Sequence, residues 1–224
     1  MLSTTLTHLM SMNKNSSRVT GLHFVTDSRL CGERGVEAVV EAAVRGGARV
    51  VQLREKALPT RAFVARARAL KELLEPLGVP LLVNDRLDVA LACGADGLHV
   101  GQDDLSPEDV RRWMPKAIVG LSVQQIGKLE IAERLPVDYY GSGPVYPTST
   151  KADASAVIGL DGLRALVQRS SRPIIGIGGI DQHNAEAVAA AGAQGVAVVS
   201  AICRAGDPAA VARELCAALE RGSR

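Results

Sequence analysis

Val50-Val51-Gln52-Leu53-Arg54-Glu55-Lys56 is a short apolar run that ends in a burst of polar residues, and the same pattern recurs along the chain. Leu81-Leu82-Val83 runs into Asn84-Asp85-Arg86, Gly97-Leu98-His99-Val100 into Gly101-Gln102-Asp103-Asp104, and residues 138–141 into a loop that continues to Lys151. A strand buried on both faces has no use for polar side chains except where it emerges, so functional groups collect at the emerging ends. The repeated pattern therefore predicts parallel strands with a site along one face of one sheet.

Outward from these runs, β-rich segments fall at residues 22–26, 50–53, 81–83, 97–100, 118–121, 138–141, 174–177 and 196–199. Between them lie amphipathic stretches such as 36–45, 60–74 and 184–191, whose apolar spacing suits helices packed outside a sheet. Glycines at Gly46-Gly47, Gly94 and Gly192 stop several of these before the next strand. Strand starts recur about every 25 residues, which predicts an α/β fold: a single (βα)8 TIM barrel with its active site at the C-terminal ends of the strands. An open sheet is the alternative, and it would require two short runs, 81–83 or 138–141 most readily, to be loops.

Composition sets the remaining bounds. A chain of 224 residues with 47% hydrophobic content can bury one sizeable core, and with only 3% aromatics that core must be aliphatic. The net charge of +2 gives no reason to expect nucleic acid as a partner. No apolar run approaches the ~18 residues needed to span a bilayer, so no membrane partner is expected. Cys31, Cys93, Cys203 and Cys216 are widely spaced without a CxxC pair and read as reduced thiols of a cytoplasmic protein, not as a disulfide frame or zinc site. Residues 1–18, rich in Ser, Thr and Met, are expected to form a flexible tail ahead of a catalytic barrel at 19–224, with organelle targeting as the lesser reading.

The polar clusters can be read one by one. Asp85 and Asp104 come from adjacent loops, with Asn84, Gln102 and Asp103 close in sequence; an all-oxygen group of this kind suits Mg2+, while the bland alternative makes both aspartates helix or turn caps. Gln52, Arg54 and Lys56 alternate, so three donors can project from one side of an extended segment and, with a divalent ion, neutralise a diphosphate. The alternative there is a solvated strand end. Gly176-Ile177-Gly178-Gly179 and Val199-Ser200 follow the last two strands, where barrels of this type hold a monophosphate; a tight turn without ligand is the alternative. Between the two anion sites lies Gly141-Ser142-Gly143-Pro144-Val145-Tyr146-Pro147-Thr148-Ser149-Thr150-Lys151, where prolines stiffen the path and Thr148, Thr150 and Lys151 supply donors. His99 falls within a strand and reads as structural.

Five ordered motifs, 52–56, 83–86, 99–104, 143–151 and 176–180, resemble those of the thiamine-phosphate synthase family, and the resemblance spans about residues 22–202. It implies condensation of aminopyrimidine methyl diphosphate with a thiazole phosphate (carboxythiazole phosphate or hydroxyethylthiazole phosphate), giving thiamine monophosphate and diphosphate. It further implies that Gln52, Leu53, Arg54, Glu55, Lys56, Asn84, Ser122 and Lys151 hold the pyrimidine diphosphate, with Arg54, Lys56, Ser122 and Lys151 catalytic. Thr148, Ser149, Thr150, Gly179, Val199 and Ser200 would bind the thiazole phosphate, and Asp85 and Asp104 would hold one Mg2+ per subunit. Partners would be small molecules, with a homo-oligomer left open. A related thiazole tautomerase uses a histidine two residues after the loop-five serine; here that position is Gln124, which favours the synthase. A precursor-binding protein without catalysis is the third reading.

Overall fold

The computed structural model describes residues 15, 18–150 and 156–224. Eight parallel strands close into a barrel in sequence order: β1 (Gly21–Val25), β2 (Val50–Leu53), β3 (Leu81–Asn84), β4 (Gly97–Val100), β5 (Ile118–Ser122), β6 (Tyr139–Ser142), β7 (Ile174–Ile177) and β8 (Gly195–Val198). Closure is direct, because His23 on β1 is in register with Val50 on β2 and with Ala197 on β8. Runs 81–84 and 139–142 are paired on both sides, which excludes the open sheet.

Helices alternate with the strands: α1 (Ser28–Cys31), α2 (Val36–Arg45), α3 (Thr60–Leu74), α4 (Leu87–Cys93), α5 (Pro107–Trp113), α6 (Ile126–Ala132), α7 (Gly159–Val167), α8 (Ala185–Ala190), α9 (Ser200–Cys203) and α10 (Pro208–Gly222). Their apolar spacing explains their docking. In α2, Val36, Val39, Val40 and Ala43 are buried, and in α3 Phe63, Ala67, Leu70 and Leu74 form the same kind of inward stripe. The last helix begins at Pro208, with the Asp207 carboxylate accepting from the Ala210 N–H at 2.9 Å.

Period-two alternation divides the strand side chains between two cores. Leu53, Val83, Leu98, Leu121 and Tyr140 face the helices, whereas Val25, Val50, Leu82, Ile118, Tyr139, Ile175 and Ala197 fill the barrel, with Val19 closing its lower end. Polar residues that share the inward parity therefore end up in the barrel mouth.

Two strand limits differ from expectation for local reasons. Asp138 is fully buried below β6, its carboxylate accepting from the Val119 N–H and from Arg111 at 2.7 Å each, so the ladder begins at Tyr139. Val199 turns out of the β8 ladder with ψ −78° and leads into α9. The tail expected at 1–18 lies mostly outside the described residues, but Asn15 donates to the Ala117 carbonyl and Arg18 pairs with Asp96. Cys31 and Cys203 are buried free thiols with their Sγ atoms 3.4 Å apart. Among the described residues no helix is long and apolar enough to cross a membrane.

Candidate active site

A cavity of about 160 Å³ opens at the carboxyl ends of the strands. One arc of its wall comes from β2 to β5 and carries Gln52, Arg54, Asn84, Ser122 and Gln124; the other comes from β6 to β8 and carries Thr148, Thr150, Gly179, Val199 and Ser200.

Alternation decides which residues of 52–56 reach it. Gln52 points inward and approaches the Tyr139 phenol, Leu53 points outward into the helix-facing core, and Arg54 points inward again. Two contacts at the end of β1 hold Arg54: its backbone N–H donates to Thr26 Oγ1 at 3.0 Å, and its guanidinium lies 3.7 Å from the buried Asp27 carboxylate. Glu55 faces away, accepting from Arg66 at 2.7 Å and from the Ser28 hydroxyl. The side chains of Leu53 and Glu55 thus do not join the substrate residues expected from their motif; they anchor the loop to the helices. Lys56 leans to the next loop, its ammonium 2.7 Å from Asp85 Oδ2.

Neither aspartate expected to hold metal is a helix cap. The first residue before α4 is Arg86, which makes no side-chain cap, and α5 is capped by Ser106, whose hydroxyl accepts from the Asp109 N–H. Asp85 instead adopts φ 61°, a left-handed conformation that few residues other than Gly, Asn and Asp tolerate, with its N–H donating to the His99 carbonyl at 3.0 Å. Burial pushes the Asp104 carboxyl above the usual carboxylate range and the neighbouring Asp85 carboxylate adds to this, while the Gly101 N–H, donating at 2.7 Å, pulls it back. Two neighbouring hard carboxylates with a lysine ammonium drawn to them form a donor set that fits Mg2+.

Ser122 sits deeper. Its hydroxyl is 3.0 Å from His99 Nε2, while its carbonyl accepts from the Gln102 amide at 2.6 Å. His99, expected to be structural, lines the cavity, and its Nδ1 is 2.9 Å from the Tyr139 hydroxyl. Burial pushes the Tyr139 phenol far up, so it remains a neutral hydroxyl.

On the opposite arc, the Thr150 N–H donates to Thr148 Oγ1 at 3.2 Å, which folds the two threonines together. Ser149 is not among the cavity-lining residues. Lys151 lies outside the described residues. Gly178 and Gly179 both have positive φ, and a Cβ on either would come within 2.7 Å of Pro144 or Tyr146. The paired glycines therefore let the β7 loop pack against the proline-stiffened β6 loop.

Sequence reasoning passed over Asp27, Tyr139 and His23, which complete the site. The inward parity of Tyr139 with Gly141 is the signal that marks the second of these, as the parity of His99 with Gly97 and Gly101 marks His99.

The family model described as thiamine monophosphate synthase matches residues 22–202. The chain belongs to this family. It is 48% identical over 204 residues to the thiamine-phosphate synthase of Azorhizobium caulinodans, covering 91% of this chain and 96% of that one. To the thiamine-phosphate synthase of Laribacter hongkongensis it is 53% identical over 196 residues, 87% and 92% of the two chains. Among solved structures, the thiamine phosphate pyrophosphorylase from Pyrococcus furiosus superposes with a TM-score of 0.83 at 36% identity, covering 91% of this chain and 96% of that chain. As a member of the thiamine monophosphate synthase family the chain is an enzyme, a transferase of thiamine-phosphate synthesis.

Proposed function

We propose that the two arcs of the cavity bind the two halves of thiamine monophosphate: the aminopyrimidine methyl diphosphate on Gln52, Arg54, Lys56, Asn84, Ser122 and Lys151, and the thiazole phosphate on Thr148, Thr150, Gly179, Val199 and Ser200. The observation that carries this reading is the shared cavity itself, because it brings an arc with Gln52, Arg54, Asn84 and Ser122 face to face with a hydroxyl- and glycine-lined one. Leu53, Glu55 and Ser149 would contribute backbone at most.

In the reaction, the C–O bond between the pyrimidine methylene and diphosphate breaks, the leaving diphosphate keeps the electron pair, and the thiazole nitrogen forms the new C–N bond. Arg54, held by Asp27, meets the charge that grows on the leaving group; its planar fork suits diphosphate oxygens. Lys56 brings a second cation to the same arc. Gln52 and Ser122 orient the pyrimidine ring, and Thr148 with Thr150 orients the thiazole phosphate so that its nitrogen faces the methylene. Asp85 and Asp104 would hold one Mg2+, which when bound supplies Lewis-acid stabilisation of diphosphate. The reaction requires no enzyme nucleophile, because diphosphate is itself the leaving group and the thiazole nitrogen is the attacking atom. Gln124 stands in the cavity wall where a tautomerase of this fold would carry histidine, which favours synthesis over tautomerisation.

We place the reaction in the cytoplasm, with residues 19–224 as the catalytic unit. Diphosphate release that requires both substrates and Mg2+, with thiamine monophosphate formed in equal amount, tests the reading.

A further inference from the structure

Four side chains from four strands line up across the cavity floor, and three of them form a continuous hydrogen-bonded run. Gln52 on β2 meets the phenol of Tyr139 on β6, that phenol meets Nδ1 of His99 on β4 at 2.9 Å, and Nε2 of His99 meets Ser122 on β5 at 3.0 Å. The barrel is built to admit it. A Cβ on Gly120 would lie 2.3 Å from Tyr139 Cζ and 2.5 Å from His99 Nδ1, and one on Gly141 would lie 2.8 Å from His99 Cε1. His23 packs edge-on against Tyr139 from the other side at 5.3 Å.

A neutral imidazole has one donor and one acceptor nitrogen, so the run has a direction. When the Tyr139 O–H donates to the Gln52 amide oxygen, His99 Nδ1–H donates to Tyr139 and Nε2 accepts from Ser122; Gln52 then offers its NH2 to the cavity and Ser122 offers a lone pair. In the reversed direction Gln52 offers its carbonyl oxygen and Ser122 its O–H. In both, one end donates while the other accepts. An aminopyrimidine, with an exocyclic amino donor and ring-nitrogen acceptors, requires such a pair.

We propose that His99 and Tyr139 are positioning residues that couple Gln52 to Ser122, so that the two ends always present one donor and one acceptor to the pyrimidine ring. This rests on the reading that Gln52 and Ser122 contact that ring. Neither His99 nor Tyr139 needs to touch the reacting atoms.

The test compares Gln52→Ala, Ser122→Ala, Tyr139→Phe, His99→Gln and His99→Leu. Two quantities are read: the KM of each substrate, and calorimetric binding of hydroxymethyl aminopyrimidine, which has the ring without the diphosphate. Tyr139→Phe and His99→Leu are expected to weaken ring binding by about tenfold, since each leaves buried polar partners unmade. The thiazole-phosphate KM should move less than twofold. Adding Tyr139→Phe to Gln52→Ala should cost little more than Gln52→Ala alone, because the two residues act as a unit. His99→Gln, whose amide restores a donor and an acceptor, should bind the ring more tightly than His99→Leu; equal loss in both would overturn the coupling, and this comparison stands even if Tyr139→Phe fails to fold. Weakening by Gln52→Ala and Ser122→Ala without weakening by Tyr139→Phe or His99→Leu would also overturn it while leaving the site intact. If none of the five weakens ring binding, the pyrimidine site itself is misplaced and the inference falls with it.

Discussion

The Lys56 ammonium lies 2.7 Å from Asp85 Oδ2, although Lys56 is more than half exposed. An ion pair this exposed contributes at most about 1 kcal/mol to folding. Its placement beside two facing carboxylates is better explained by charge balance in a diphosphate site. Asp104→Ala is accordingly expected to lower Mg2+-dependent turnover by roughly a hundredfold while leaving the melting temperature nearly unchanged. Near-normal turnover would remove Asp104 from the metal role.

Asp27 has two duties that a single substitution can separate. Its carboxylate caps α1, accepting from the Arg29 and Leu30 N–H groups at 3.1 and 3.2 Å, and it flanks the Arg54 guanidinium. Asp27→Asn keeps a capping oxygen and loses the charge. It should preserve stability while reducing kcat/KM for the pyrimidine diphosphate by about tenfold or more, whereas Asp27→Ala should also cost about 1 kcal/mol of stability. Steady-state kinetics with thermal unfolding distinguishes the two; an Asn variant with unaltered kinetics would show that Arg54 needs no such support.

Thr150 and Thr148 are tied together on the β6–β8 arc. Thr150→Ala should therefore raise the KM of the thiazole phosphate more than that of the pyrimidine diphosphate. The reverse ordering would overturn the division of the cavity.

His23 gives the fold a pH dependence. Burial lowers its pKa from 6.5 to about 4, partly offset because Nε2–H donates to the Val19 carbonyl at 2.8 Å. Below 6.5 the unfolded chain takes up a proton that the folded chain refuses until about 4, so stability falls as pH drops through that window. The full effect is on the order of 3 kcal/mol. Urea unfolding of wild type and His23→Gln between pH 4 and 7 checks this; the variant should lose part of the acid slope, and identical slopes would contradict it.

Much of this architecture is legible in the residues because strand burial leaves a strong mark. The aliphatic runs at 50–53 and 97–100 and the helical stripes at 36–45 and 60–74 coincide with elements of the fold. Polar residues at strand ends also marked the cavity, since Gln52, Arg54, Asn84, Ser200 and the two threonines line it. What local pattern does not encode is which inward residues meet across the barrel. Glu55 sits in the same motif as Arg54, yet Arg66, eleven positions away, takes its carboxylate. His99 looked like a strand residue because its partners, Ser122 and Tyr139, lie 23 and 40 positions on. Asp27 left no sign at all, since its tie to Arg54 exists only after β1 and β2 pair.

The central claim is that diphosphate leaves the pyrimidine methylene and the thiazole nitrogen takes its place in one cavity, and the most direct measurement follows diphosphate release from aminopyrimidine methyl diphosphate with and without thiazole phosphate and Mg2+, with thiamine monophosphate quantified by mass. The account predicts release only when both are present, matched one to one by thiamine monophosphate. Tight binding of thiazole phosphate with no diphosphate released under any condition would contradict it.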